Sequence, residues 1–212
     1  MKKSFDLSLY LVLDPDLCQA IGMVETARLA VSGGVTMVQL RDKQADTGRM
    51  IDTGQALKVA LAGTGVPLIV NDDVEAAIAI GAEGLHVGQD DISAEAARAL
   101  IGPDMILGLS VQTGENAVPA DAAFADYAGI GPIFPTSTKP EHAPAIGFDG
   151  LRKLVGISPI PTVAIGGVKA EHVAPALAAG ADGVAVVSAI CGQPNPKAAA
   201  ERLMLEIQKA RQ

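Results

Sequence analysis

The sequence has 212 residues, which suits one or two domains and allows a sizeable buried core. Its net charge of −8 argues against binding of nucleic acid through a generally basic surface. It contains no apolar window of about 18 residues and no apolar run behind its charged first residues, so we expect neither a membrane span nor a secretion signal.

Short apolar runs alternate with longer alanine-rich stretches along the whole chain. The runs cover residues 9–13, 37–40, 68–70, 85–87, 106–109, 127–130, 162–165 and 184–187. Their nearly continuous apolar character is typical of parallel strands buried on both faces. Helical patterns fill the intervals, at residues 24–32, 47–62, 74–80, 94–100, 115–122, 148–155, 170–179 and 197–210.

This alternation predicts an α/β protein with a (β/α)₈ TIM barrel, folded as a single domain over residues 1–212. A repeated phrase supports the prediction, because residues 80–87 and 179–186 are nearly the same. In each copy, Gly81 or Gly180 can take the left-handed conformation that ends a helix, and a strand follows at once. We see no linker and no low-complexity tract.

Polar residues follow the predicted strands, and in such a barrel the carboxyl ends of the strands carry the site. Gln39, Arg41 and Lys43 follow the second strand with a spacing of two, which points all three to one face of an extended chain. The other strands are followed by Asn71, Asp72, Asp91, Ser110, Gln112, Thr136, Ser137, Thr138, Lys139, Gly166, Gly167 and Ser188.

Each of these residues also has an ordinary structural interpretation. Arg41 and Lys43 are compatible with solvated surface cations, and Asn71–Asp72 with a turn or a helix cap. Asp91 is compatible with a loop residue, and His86, within an apolar run, is more typical of a core histidine than of a ligand. The joint placement of cations, carboxylates, hydroxyls and glycine turns on one rim favours a site over these separate interpretations.

The chemistry that this rim predicts is that of a metal-bound diphosphate and a second, amide-bound phosphate. Asp72 and Asp91 are hard oxygen ligands, and Mg²⁺ typically takes one or two carboxylates together with phosphate oxygens and water. Arg41 can grip phosphate through its planar fork, whereas Lys43 and Lys139 act as point charges.

The second phosphate is expected at the loops after strands seven and eight. Barrels frequently bind a monophosphate there through backbone N–H groups. Glycine at Gly166–Gly167 would let the chain approach the anion closely, and the amides of Val187 and Ser188 would complete the site.

Seven phrases of the sequence resemble the thiamine-phosphate synthase family in order and spacing. They stand at residues 38–43, 69–72, 86–91, 108–110, 129–139, 164–167 and 186–190. The resemblance runs from about Tyr10 to Ile190, and the combination of Gln-Leu-Arg-x-Lys with Thr-Ser-Thr-Lys is its most specific part.

The resemblance implies a cytoplasmic transferase in thiamine biosynthesis, with small-molecule substrates and Mg²⁺ as cofactor. It would join a hydroxymethylpyrimidine diphosphate to a hydroxyethylthiazole phosphate after departure of the diphosphate, without a protein nucleophile. By position, the pyrimidine diphosphate would be bound by Gln39, Arg41, Lys43, Asn71, Ser110 and Lys139, with Arg41, Ser110 and Lys139 acting in catalysis. Asp72 and Asp91 would hold the metal, and Thr136, Ser137, Thr138, Gly167, Val187 and Ser188 the thiazole phosphate.

Two positions depart from the family pattern. Asp73 replaces an arginine that often follows the Asn-Asp pair, and Gln112 replaces a histidine after strand five. Asp73 either assists the metal or caps the following helix.

The sequence leaves the oligomeric state open, a homo-oligomer included. Its two cysteines, Cys18 and Cys191, have no metal-ligand spacing and are expected to be reduced thiols.

Three alternatives remain beside the synthase. One is a thiazole tautomerase-like isomerase, which would rely on a histidine where Gln112 stands. Another is a non-catalytic barrel that binds phosphate ligands without turnover. The third is an isomerase of phosphorylated sugars, which would share the phosphate site but would not need Asp72 with Asp91.

Overall fold

Eight parallel strands close into a barrel whose order around the ring follows the chain. The computed structural model describes residues 4–89, 91–113, 123–136 and 144–212. The strands are β1 (Leu9–Val12), β2 (Met37–Leu40), β3 (Leu68–Asn71), β4 (Gly84–Val87), β5 (Ile106–Val111), β6 (Tyr127–Ile130), β7 (Thr162–Ala164) and β8 (Gly183–Val186). The predicted (β/α)₈ barrel is thereby confirmed.

Helices follow most strands and cover the outside of the ring. In the described ranges they are α1 (Met23–Ser32), α2 (Thr47–Leu61), α3 (Val74–Ile80), α4 (Ala94–Ile101), α5 (Gly147–Ile157), α6 (Val173–Ala178) and α7 (Pro196–Ala210). The helix predicted over residues 115–122 lies outside the described residues. Within those ranges, no helix is long and apolar enough to cross a membrane.

The helix predicted over residues 170–179 is divided, because a 3₁₀ turn at Ala170–His172 precedes α6. Pro175 gives the physical reason, since proline lacks the N–H that a helix interior requires but is tolerated in the first turn. Starting α6 at Val173 places Pro175 in that first turn. Strand β5 also runs further than predicted, because Ser110 and Val111 pair with Gly129 and Ile130 of β6.

The barrel has two cores on the two faces of its sheet. Along β1, Leu9 and Leu11 pack outward against the helices, whereas Tyr10 points into the barrel. The interior core is formed by Leu7, Tyr10, Met37, Ile69, Ile106, Tyr127, Val163 and Ala185. Tyr10 and Tyr127 are the largest of these side chains, so the interior is filled around two aromatic rings.

Polar side chains cap the helices where they leave the sheet. Asp46 accepts a hydrogen bond from the backbone N–H of Arg49 at the start of α2, and Asn195 accepts one from Ala198 at the start of α7. At the end of α3, Gly81 has φ 65° and ψ 41°, the left-handed conformation expected from the repeated phrase. The N-caps therefore mark where the loops that follow the strands end.

Candidate active site

A cavity of about 150 Å³ opens at the carboxyl ends of the strands. Most of the predicted site residues that the structure describes line it: Gln39, Arg41, Asn71, Ser110, Thr136, Gly167, Val187 and Ser188. They come from six strand ends, and the barrel brings them to one space as the rim prediction required. Ser137, Thr138 and Lys139 were also predicted for this rim but lie outside the described residues.

Lys43, Asp72 and Asp91 lie beside the cavity rather than in its lining. Lys43 forms an ion pair through Nζ with Oδ2 of Asp72, and its side chain remains 52% exposed. The same Oδ2 accepts a hydrogen bond of 2.6 Å from Nδ2 of Asn71, which does line the cavity. Asn71 therefore connects the charged cluster to the space that a ligand would fill.

The backbone turns Asp72 towards the end of the neighbouring strand. Asp72 has φ 62°, a left-handed conformation that aspartate tolerates better than most residues. Its N–H donates to the carbonyl of His86 in β4 at 2.8 Å, which ties the two strand ends together. Asp91 is fixed on the other side, since its Oδ2 accepts a bond of 2.8 Å from the N–H of Gly88.

The carboxyl groups of Asp72 and Asp91 lie close enough to affect each other's charge. Burial raises the pKa of Asp72, and the neighbouring Asp91 raises this pKa further, whereas Lys43 lowers it. Two carboxylates this close repel each other when both are charged, and a divalent cation between them would remove that repulsion. The pair therefore fits the hard oxygen donors that Mg²⁺ prefers.

Asp73, the first departure from the family pattern, caps a helix. Its side chain accepts a hydrogen bond of 2.8 Å from the N–H of Ala76 and occupies the N-cap position of α3. Of the two roles left open by the sequence, the structure shows the cap. Gln112, the second departure, lines the cavity two residues beyond Ser110.

The glycine turn after β7 is shaped by the loop that follows β6. Gly166 and Gly167 have φ 93° and 69°, which favours glycine at both positions. A Cβ on Gly167 would lie 2.7 Å from Cβ of Phe134 and 3.1 Å from the carbonyl oxygen of Pro135. The turn and that loop thus pack backbone against backbone beside the cavity, as expected for a site built from main-chain groups.

Several cavity residues were not predicted for the site from the sequence, among them Tyr10, Asp14 and His86. His86 is 8% exposed, so the prediction of a core histidine agrees with its burial. Its Nε2, however, lies 3.0 Å from Oγ of Ser110, a predicted substrate-binding group. The available signal was the alternation of β4, which turns His86 to the barrel interior while Leu85 and Val87 pack outward.

The chain is similar in sequence and in fold to known thiamine-phosphate synthases. The family model described as thiamine monophosphate synthase matches residues 9–190. The chain is 46% identical to the thiamine-phosphate synthase of Azorhizobium caulinodans over 211 residues, covering 100% of both chains, and 46% identical to that of Xanthobacter autotrophicus over the same span. A solved thiamine phosphate pyrophosphorylase from Pyrococcus furiosus superposes with a TM-score of 0.87 at 36% identity, covering 96% of each chain.

Proposed function

The chain belongs to the thiamine monophosphate synthase family, and we propose that the rim beside its cavity holds a Mg²⁺-bound diphosphate while that diphosphate departs. The reaction condenses 4-amino-2-methyl-5-hydroxymethylpyrimidine diphosphate with 4-methyl-5-hydroxyethylthiazole phosphate and releases thiamine monophosphate and diphosphate. The observation that carries the proposal is the Asp72 carboxylate, which pairs with Lys43, lies near Asp91 and is joined to the cavity through its hydrogen bond from Asn71.

The residues proposed for the pyrimidine diphosphate provide donors and positive charge. Departure of diphosphate concentrates negative charge on its oxygens, and fixed cations stabilise that charge most in a partly dry site. Arg41 offers a planar fork from the cavity wall, and Lys43 offers an ammonium from its edge. The full proposed set is Gln39, Arg41, Lys43, Asn71, Ser110 and Lys139, with Arg41, Ser110 and Lys139 as the catalytic residues.

Asp72 and Asp91 are the residues proposed to hold Mg²⁺. Both present carboxylate oxygens, and Asn71 and Gly88 hold those carboxylates in place by hydrogen bonds. When bound, the ion would supply positive charge against the departing diphosphate. Lys43 pairs with Asp72 while half of its side chain is exposed, and we propose that the same ammonium also contacts the bound diphosphate.

The accepting substrate is assigned to the opposite side of the same cavity. Its phosphate is proposed to lie against the glycine turn and the end of β8, where Gly167, Val187 and Ser188 meet. Thr136, Ser137 and Thr138 are proposed to add hydroxyl donors. One cavity would then hold both reacting groups, and this removes the entropy cost of bringing them together during the reaction.

An assay of the metal-free protein with both substrates tests the proposal. We expect thiamine monophosphate and diphosphate to form when Mg²⁺ is added and to cease forming in EDTA, with recovery on excess Mg²⁺. Near-normal turnover in EDTA would contradict the metal assignment. A tautomerase would convert a thiazole phosphate without consuming the pyrimidine, and a binding barrel would retain both substrates unchanged, so product analysis separates all three.

Gly167→Ala is expected to raise KM for the thiazole phosphate about tenfold while leaving KM for the pyrimidine diphosphate within about twofold. The added methyl group meets Phe134 and forces the turn to shift at the positive φ of this position. Steady-state kinetics with each substrate varied in turn measure the effect. Gly156→Ala is the matched control, because Gly156 is helical and a Cβ there meets nothing within 4 Å. Equal rises in both KM values would point to general misfolding instead.

The cytoplasm remains the proposed location. Cys18 and Cys191 are both buried and both free thiols. Free thiols are typical of a reducing compartment, which is where the sequence placed the protein.

A further inference from the structure

A chain of polar side chains crosses the interior of the barrel beneath the cavity. Nε2 of Gln39 lies 2.6 Å from the hydroxyl of Tyr10, which lies 2.8 Å from the hydroxyl of Tyr127. The Tyr127 hydroxyl is 3.0 Å from Nδ1 of His86, whose Nε2 is 3.0 Å from Oγ of Ser110. The chain therefore begins and ends on two cavity residues that we assign to the pyrimidine substrate, and its middle has no role in the proposed function.

The middle of this chain is deeply buried in an apolar core. Tyr10 is 1% exposed and Tyr127 is fully buried, and both belong to the interior core of Leu, Met, Ile and Val side chains. A buried hydroxyl without a partner costs stability, so each phenol is held to its neighbours in the chain. Burial also raises the pKa of Tyr10 and that of Tyr127, which keeps both phenols neutral and able to donate and accept.

Strand β5 leaves space for this chain by carrying a glycine. Gly108 lies between His86 of β4 and Tyr127 of β6 in the register of the sheet. A Cβ on Gly108 would lie 2.2 Å from Cζ of Tyr127 and 2.5 Å from Nδ1 of His86. The Tyr127 hydroxyl and the His86 ring thus fill the space that a side chain at Gly108 would occupy.

One assignment of the hydrogens gives every buried hydroxyl in this chain an acceptor. Gln39 donates through Nε2 to Tyr10; in this assignment the Tyr10 hydroxyl donates to Tyr127, and the Tyr127 hydroxyl donates to Nδ1 of His86. The matching tautomer of His86 has its N–H at Nε2 and donates to Oγ of Ser110. At the two ends, the Gln39 carbonyl oxygen is left as an acceptor towards the cavity, and the Ser110 hydroxyl is left as a donor.

We propose that Tyr10, Tyr127 and His86 are positioning residues that hold Gln39 as an acceptor and Ser110 as a donor, so that the site selects a 4-aminopyrimidine over a 4-oxopyrimidine. The amino ring presents an N–H donor beside a ring-nitrogen acceptor, which matches these two ends. The oxo ring presents an acceptor beside a ring N–H and meets each end with the wrong polarity. The inference rests on the assignment of Gln39 and Ser110 in the proposed function.

The test is a specificity ratio measured with the full-length protein and Mg²⁺. The values of kcat/KM are determined for the 4-amino pyrimidine diphosphate and for its 4-oxo analogue, with thiazole phosphate saturating, and dissociation constants for both are measured by calorimetry. We expect the wild-type protein to favour the amino substrate strongly in both measurements. Tyr127→Phe and Tyr10→Phe each interrupt the chain and should lower the ratio about tenfold, by allowing Gln39 to turn its amide.

A specificity ratio is insensitive to partial misfolding, because both ligands meet the same active fraction of each preparation. Thr162→Val is the matched control, since it removes a hydroxyl from β7 that is buried and lacks a hydrogen-bond partner within the described residues. This variant should keep the wild-type ratio. A third variant, Gly108→Ala, separates Tyr127 from His86 without removing a polar group and should also lower the ratio.

Two results would overturn the inference: a wild-type protein that does not discriminate between the two ligands, or Phe variants that keep the wild-type ratio. Failure of the proposed function would look different, because the wild-type protein would then form no thiamine monophosphate from the amino substrate. The calorimetric ratio would still test the positioning role in that case.

Discussion

Asp72→Asn is expected to lower kcat by about a thousandfold and to abolish the response to Mg²⁺. The substitution removes one of two carboxylates proposed to hold the metal and leaves Lys43 without its ion-pair partner. Asparagine suits this test better than alanine, because it also tolerates the left-handed backbone that Asp72 adopts at φ 62°. The measurement is the initial rate of thiamine monophosphate formation over a range of Mg²⁺ concentrations.

Asp73→Asn is the matched control, one residue along the chain and with the same change of charge. Asparagine caps helices as well as aspartate does, so α3 keeps its N-terminal hydrogen bond to Ala76. We expect kcat within about twofold of the wild-type value and an unchanged Mg²⁺ response. If both variants lost activity equally, general loss of negative charge on this rim would explain the result, and the specific role of Asp72 would be wrong.

Arg98→Met is expected to lower the free energy of unfolding by about 3 to 5 kcal/mol. Arg98 in α4 donates to Oδ2 of Asp126 at 2.7 Å, and their side chains are only 16% and 7% exposed. Its guanidinium also donates to the backbone carbonyls of Gly102, Met105 and Phe124 at 2.6 to 3.0 Å. Methionine preserves much of the packing but leaves a buried carboxylate and three carbonyl oxygens without this donor.

Urea unfolding followed by circular dichroism measures the loss. Arg28→Met is the control, because Arg28 pairs with Glu25 at 2.6 Å while both side chains are about half exposed. That exposed pair is worth less than about 1 kcal/mol. Equal losses in the two variants would show that the buried arrangement around Arg98 adds nothing beyond a surface ion pair.

The sequence predicted the strand order and most of the rim, for reasons that are local. Parallel strands buried on both faces leave continuous apolar runs, and the barrel sends every strand's carboxyl end to the same side. Arg41, Asn71 and Ser110 could therefore be assigned to the rim from their position after a run alone. Their presence in the cavity lining agrees with that assignment.

Partners across the barrel could not be predicted in the same way. Periodicity shows which face a side chain occupies but not which distant side chain it meets, so the contact between Tyr10 and Tyr127 left no local trace. The same limit hid the proximity of Cys18 and Cys191, whose thiols lie close together although they stand near opposite ends of the chain. Asp73 was undecided for a different reason, because a carboxylate at that position can serve either as a helix cap or as a metal ligand.

The hydrogen bond between Tyr10 and Tyr127 has a consequence for how the barrel folds. It joins residues 117 positions apart, from β1 and β6, which are not neighbours in the ring. Contacts with such large sequence separation form late, since the chain must first lose the entropy of closing a long loop. In a collapsed chain that lacks one of these strands, the remaining phenol and His86 would be buried in an apolar interior without their partners. We therefore expect partly closed barrels to be disfavoured, so that closure and assembly of the substrate pocket form one cooperative folding step.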